Sequence, residues 1–260
     1  MKNKLGGVLF IRDGVKLDYP FQQAIECLKQ VCDHVCVVCI KTEDQTFDII
    51  NSIQNIDRIF CTDYEWNSFK RIGKLRLSYY TNLGIDHLVK MRNCDWVFSL
   101  QADEILHEDS YDVLRGIVDS DSKYNEYQFT RFNLWGSPYQ YLDHPKNGQP
   151  CSTIVTRLVK SDKIYGAHGD AESIGSLKPI TNTASIPHLR IYHMGFVRDP
   201  YIHPTKIKTM QEDVFVMDSD KKLKGMDKFN PWAWHDVFDT TPIHEDLPKL
   251  IQKWAHLRNY

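Results

Sequence analysis

Asp95-Trp96-Val97-Phe98-Ser99-Leu100-Gln101-Ala102-Asp103-Glu104 is the stretch that decides the reading of this chain. Its first part is a short apolar run interrupted by one serine, and it reads as a buried strand. That strand delivers two adjacent carboxylates to its carboxyl end. Neighbouring carboxylates repel each other unless a cation holds them. A hard divalent ion with oxygen ligands, Mg²⁺ or Mn²⁺, suits such a pair and keeps positions open for a diphosphate. The competing reading is that Asp103 and Glu104 only favour the start of a following helix through its dipole.

Upstream of this stretch, strands and helices alternate. Val8 to Ile11 reads as a buried strand, broken by Arg12-Asp13-Gly14. Pro20 opens a helix, where its missing N–H costs nothing, and Phe21, Ala24, Ile25, Leu28 and Val31 follow at helical spacing. Val35 to Ile40 is a second buried strand. Thr42-Glu43-Asp44 turns the chain into a helix carrying Phe47, Ile49, Ile50 and Ile53. Ile56 to Cys61 is a third strand, and Ile72 to Met91 a longer helix. This alternation predicts an α/β fold with a parallel sheet and helices on both faces. In such sheets ligands bind beyond the carboxyl ends of the strands. Asp13, Glu43, Asp44, Asp63 and Asp103 all stand at those ends.

The downstream half has a different texture. Tyr127 to Trp135, Thr153 to Lys160 and His188 to Phe196 read as strands, with a Pro- and Gly-bearing loop expected over Gly136 to Pro150. Pro204 opens a helix expected to run to Met217. Lys221, Lys222, Lys224 and Lys228 precede the aromatic stretch Pro231-Trp232-Ala233-Trp234-His235. Leu247, Leu250, Ile251, Trp254 and Leu257 mark a last amphipathic helix.

The 260 residues are 42% apolar and 25% charged, which is ordinary for a water-soluble globular chain. A formal net charge of −2 excludes a global field that would draw nucleic acid or anionic membrane. The lysine stretch beside Trp232 and Trp234 has the composition of a basic, aromatic surface, suited to glycan stacking or to nucleic acid. Its plainer reading is a solvated loop. No segment approaches the roughly 18 apolar residues of a membrane span. Seven cysteines, an odd number, and an N-terminus without a signal-type apolar region point to reduced thiols in the cytoplasm. Cys32, Cys36 and Cys39 have a zinc-like spacing, but Cys36 to Ile40 reads as buried strand, where thiols pack as small hydrophobes.

The motif resembles that of the family 2 glycosyltransferases and their GT-A relatives, whose strand of similar pattern ends in an Asp-Ala-Asp-Glu segment of D-x-D type. Gln101 stands where the first aspartate of that segment usually is. The resemblance implies a GT-A, Rossmann-like, mostly parallel sheet flanked by helices, with a C-terminal helical extension. It covers residues 5–200. The implied organisation is a transferase domain over 1–200, divided into a nucleotide-binding half (1–110) and an acceptor half (111–200), followed by the extension over 201–260. By the same resemblance Asp103 is a metal ligand for Mn²⁺ or Mg²⁺, Gln101 meets a ribose hydroxyl, and Asp13 lies in a nucleotide-contacting loop. Asp44, in Lys41-Thr42-Glu43-Asp44-Gln45-Thr46, matches the aspartate that holds the base. Lys74 or Arg76 offsets diphosphate charge. Tyr192-His193-Met194-Gly195-Phe196 resembles a late strand whose histidine lies near the metal, which makes His193 the second candidate ligand.

The implied activity is transfer of a sugar from a nucleotide-diphosphate donor, a UDP-sugar foremost, to an unidentified glycan, lipid-linked or nucleic-acid hydroxyl. An inverting transfer needs a base for the acceptor proton. Asp170, then Glu172, in Gly166-Ala167-His168-Gly169-Asp170-Ala171-Glu172, are the candidates. Two other readings stay open: nucleotidyl transfer on a related fold, and nucleotide-sugar binding without catalysis.

Overall fold

The computed structural model describes residues 2–70, 73–145, 153–176, 182–199, 201–209 and 238–258. Its first half is the expected alternation. Strand β1 (Leu5–Ile11) is buried along nearly its whole length, as a parallel strand covered on both faces must be. Helix α1 (Phe21–Val31) returns the chain to β2 (His34–Lys41), burying Phe21, Ala24, Ile25, Leu28 and Val31. Helix α2 (Thr46–Ser52) leads to β3 (Asp57–Thr62). Helix α3 (Asp63–Ser68) is closed by a capping box, in which Thr62 and Glu65 satisfy each other's backbone N–H groups. Helix α4 (Leu75–Lys90) then precedes β4 (Trp96–Ser99).

Strand β4 lies beside β1, opposite β2, so the parallel portion runs β3-β2-β1-β4. The order reverses between β1 and β4. Asp13 follows β1, and Asp103 follows β4. Both therefore stand at the switch point, where open α/β sheets form their ligand crevice.

Beyond β4 the sheet becomes antiparallel. After β5 (Glu104–Leu106) and α5 (Tyr111–Asp119) come β6 (Glu126–Trp135), β7 (Ser137–Pro145) and β8 (Ile154–Lys160). Strand β8 pairs antiparallel with both β4 and β6, and β7 extends β6. A short hairpin, β9 (Ile164–His168) and β10 (Ser173–Ser176), stands apart. Strand β11 (Thr183–Phe196) runs parallel to β6 and antiparallel to β5. The architecture is mixed α/β with helices on a central sheet, but only its first half is parallel throughout.

The loop expected over Gly136 to Pro150 is strand β7 as far as Pro145. Its prolines, Pro138 and Pro145, sit near the strand's two ends, where a missing donor is tolerated. The C-terminal segment supplies helices α6 (His203–Thr209) and α7 (Lys249–Leu257). It also supplies strand β12 (Phe238–Pro242), which pairs with β7. Helix α7 sets Ile251, Trp254 and Ala255 into the core that holds α1. No described helix is long and apolar enough to cross a membrane.

The thiols of Cys36 and Cys39 belong to opposite sides of β2, in separate core clusters, so the zinc-like spacing brings no shared site. Burial pushes each of these thiols up to about 12.

Helix α4 approaches the sheet through Gly84. A Cβ there would meet Val8 Cγ2 at 2.6 Å and Val38 Cγ2 at 3.0 Å. Gly84→Val is expected to lose about 1–3 kcal/mol through overpacking, read as a lowered urea midpoint. An unchanged midpoint would mean that the helix–sheet gap is looser than these distances.

Candidate functional site

The loop after β1 is built to hold one shape. Asp13 takes a positive φ of 53° and is buried against Arg12, whose Nη1 lies 2.7 Å from its Oδ2. Arg12 also donates to Asp63 at 3.0 Å and stands over the Trp66 ring. Asp44 clasps the loop from the β2 side. Its carboxylate accepts from the Lys16 N–H (2.9 Å), the Val15 N–H (3.1 Å), the Thr46 hydroxyl (2.7 Å) and N–H (3.2 Å), and the Thr42 hydroxyl (3.0 Å). Burial raises the Asp44 pKa, but these donors together hold it below its ordinary value. Its oxygens thus serve the loop's backbone.

Of the two basic candidates on α4, Lys74 is exposed at the helix start. Arg76 is buried, with its guanidinium 4.1 Å from the Trp66 ring centre and donating to the Trp66 and Gly73 carbonyls. Arg76 therefore packs α3 against α4.

The turn joining β4 to β5 separates the two carboxylates that the sequence places side by side. Glu104 is fully buried, and its Oε1 receives Arg157 Nη2 at 2.5 Å, with Arg131 Nη1 at 3.6 Å. Its Oε2 accepts the Gln101 N–H at 3.0 Å, while the Glu104 N–H donates to the Gln101 carbonyl at 3.1 Å. Glu104 thus locks the turn in a reciprocal pair, and half-buried Gln101 forms its rim.

Asp103 leaves on the other side and enters a second cluster. His193 Nε2 lies 3.6 Å and Lys206 Nζ 3.4 Å from its Oδ2. The His193 ring is set by Asn133 Oδ1, 2.9 Å from Nδ1. Gly195 makes room for it, since a Cβ there would meet the ring at 2.5 Å. The Gly195 carbonyl accepts from both Lys206 and Arg198, each at 2.8 Å. Arg198 also donates to the Leu17 carbonyl and faces the Tyr19 ring, as Lys206 does.

The electrostatics follow from this packing. Burial opposes the Asp103 charge, but His193 and then Lys206 outweigh it and hold its pKa far below the usual carboxylate value. Burial, then repulsion from Arg198, lowers Lys206 to about 7 against the pull of Asp103. The Tyr19 phenol is raised well above its ordinary value by burial, then by Asp103, with Arg198 opposing and Asp13 adding. Asp13 and Asp103 therefore act on one hydroxyl.

The acceptor-side candidates lie on the tight β9–β10 turn. Asp170 is half-buried and accepts the Glu172 N–H at 3.3 Å. Glu172 is ion-paired to Arg131, which ties it through Glu104 to the turn bearing Asp103. The lysine stretch and Trp232 and Trp234 lie outside the described residues.

A divalent ion on Asp103 and His193 was the expectation, and the donor set tests it. One carboxylate and one imidazole are present, and the carboxylate already has an ammonium at 3.4 Å. A divalent ion on Oδ2 would have to compete with that amine for the same carboxylate oxygen. Among the described residues, no three His, Cys, Asp or Glu side chains gather as a metal site. The set does not fit a resident divalent ion while Lys206 keeps this position.

The sequence reading missed Lys206, Arg198, Arg157, Arg131 and Tyr19. Arg157 carried a signal: it stands between Val155 and Val159 on one strand face, and an inward charge needs a partner.

No protein-family model matches the sequence, and no curated protein sequence matches it. Solved structures do. Residues 1–349 of TarS from S. aureus superpose with a TM-score of 0.46 at 10% identity, over 80% of this chain and 64% of that one. The same TarS fragment in complex with UDP gives 0.46 at 10% identity, over 96% and 78%. A Bacillus anthracis protein, described as a glucose-1-phosphate thymidylyltransferase in complex with a sucrose, gives 0.42 at 9% identity, over 81% and 96%. The chain spans under two thirds of that first TarS structure, and 39% of a longer TarS structure. All these scores lie below 0.5, and the fold assignment rests on the strand order and register of the chain itself.

Proposed function

We propose that this chain is a glycosyltransferase that moves a sugar from a nucleotide-diphosphate donor to an acceptor hydroxyl. The observation that carries the reading is Asp103 at the β1/β4 switch point, inside a cluster with Lys206, His193 and, through the Gly195 carbonyl, Arg198. In this reading residues 1–110 form the donor side and 111–200 the acceptor side.

The anomeric carbon's bond to the diphosphate oxygen breaks, and its electron pair leaves with the nucleoside diphosphate. The acceptor oxygen bonds to that carbon and gives its proton to a base. Negative charge grows on the leaving group, so buried positive charge lowers the barrier. Asp170 is the first candidate base, because Glu172 is held by Arg131. Asp13 shapes the loop that meets the donor, Asp44 fixes that loop, and Gln101 offers an amide to a ribose hydroxyl.

Nucleoside diphosphates are expected to raise the melting temperature of the chain, since a ligand that prefers the native state stabilises it. Incubation with UDP-sugars should then release nucleoside diphosphate. Release of pyrophosphate instead, with a nucleoside triphosphate and a sugar phosphate as substrates, would replace this reading by nucleotidyl transfer. Nucleotide-sugar binding with no transfer, even to water, would leave a binding protein.

A further inference from the structure

Lys206 is a buried ammonium on a short helix, delivered to a carboxylate 103 residues away in the chain. Two of its donors face Asp103 Oδ2 and the Gly195 carbonyl, and the third has no hydrogen-bond partner among the described residues. Arg198 shares the Gly195 carbonyl, and its only other hydrogen bond among the described residues goes to the Leu17 carbonyl, a neutral acceptor. Asp13 pairs with Arg12, which Asp63 shares, and Asp18 pairs with Arg258 at 2.5 Å. Two basic side chains, Lys206 and Arg198, therefore gather on the Gly195 carbonyl beside Asp103. Buried basic groups are stabilised by counter-charge, which the diphosphate of a donor would bring.

We propose that Lys206 takes the part of the divalent ion in a metal-dependent sugar transferase. It neutralises Asp103 and, with Arg198, presents positive charge to the diphosphate of the donor, so that donor binding needs no metal. This deepens the reading under Proposed function and rests on it. His193 then positions Asp103, through its own bond to Asn133, and is not a metal ligand.

The test is calorimetric titration of the whole chain with uridine diphosphate, once with EDTA and once with Mn²⁺. The expected result is the same affinity in both. Lys206→Met should weaken it by about 10- to 100-fold, the worth of a charge-assisted hydrogen bond. Lys206→Arg, which keeps the charge, should recover most of the loss. Thermal melts verify that each variant is folded. Should Lys206→Met fail to fold, the comparison of EDTA with Mn²⁺ on the unaltered chain decides alone. Binding that appears only with Mn²⁺ overturns the proposal and leaves the nucleotide reading intact, as does an unaltered affinity in a folded Lys206→Met. No binding under either condition removes the nucleotide reading and this proposal together.

Discussion

Glu104→Ala is expected to destabilise the protein by about 3–5 kcal/mol, the range for breaking a buried ion pair by removing one partner. For a chain of this size that corresponds to a fall in melting temperature on the order of 10 °C. Glu104 is fully buried and is shared by Arg157, itself fully buried, and Arg131. Without it Arg131 keeps Glu172, but Arg157 keeps, among the described residues, only the Ala171 carbonyl, at 3.3 Å. The desolvated guanidinium is then left without counter-charge. The Gln101 N–H loses its acceptor as well. Arg157→Met should cost less than Glu104→Ala, because Glu104 retains Arg131. The double variant Glu104→Met, Arg157→Met should recover part of the loss, since apolar replacement of a whole buried pair is often neutral. Denaturant unfolding of the three variants checks this order, and a loss under 1 kcal/mol for Glu104→Ala would show that the pair behaves as a solvated one.

Asp103→Ala is expected to reduce sugar transfer by on the order of 10²-fold, the scale of a misplacement of about 1 Å at a reacting centre. The carboxylate is the only acidic partner of Lys206 among the described residues and also faces His193. Its removal frees the ammonium to move and leaves two cations in mutual repulsion. Asp103→Asn keeps the shape and separates packing from charge. If charge is what matters, both variants lose turnover to a similar degree while Asn melts nearer to the unaltered protein. The measurement is kcat/KM for release of nucleoside diphosphate from a UDP-sugar. Unchanged turnover in both variants would remove Asp103 from the mechanism.

The parallel half of the sheet was legible because its strands are near-continuous apolar runs that fit burial on both faces. The acids at their ends marked the carboxyl edge of the sheet, and Asp13 and Asp103 do follow the adjacent strands β1 and β4. The antiparallel half was harder to read. Its strands are half-buried and varied in pattern, and the prolines of β7 suggested a loop where Tyr141 and Leu142 in fact pair across the sheet. The partners of the two motif carboxylates were not legible at all. Adjacency of Asp103 and Glu104 in sequence suggested one shared cation. The turn instead sends them to separate clusters, and the cations come from β6, β8 and α6, far along the chain. Periodicity can say that Lys206 lies on a helix, but not which carboxylate that helix reaches.

The clasp between Arg258 and Asp18 joins positions 240 residues apart. It secures the very loop that Arg198 and Asp44 hold from other directions. The first four strands lie within residues 5–99, whereas the loop that follows the first of them is clasped by Arg198 and Arg258. The order of that loop is thereby coupled to the far end of α7, which Arg258 closes.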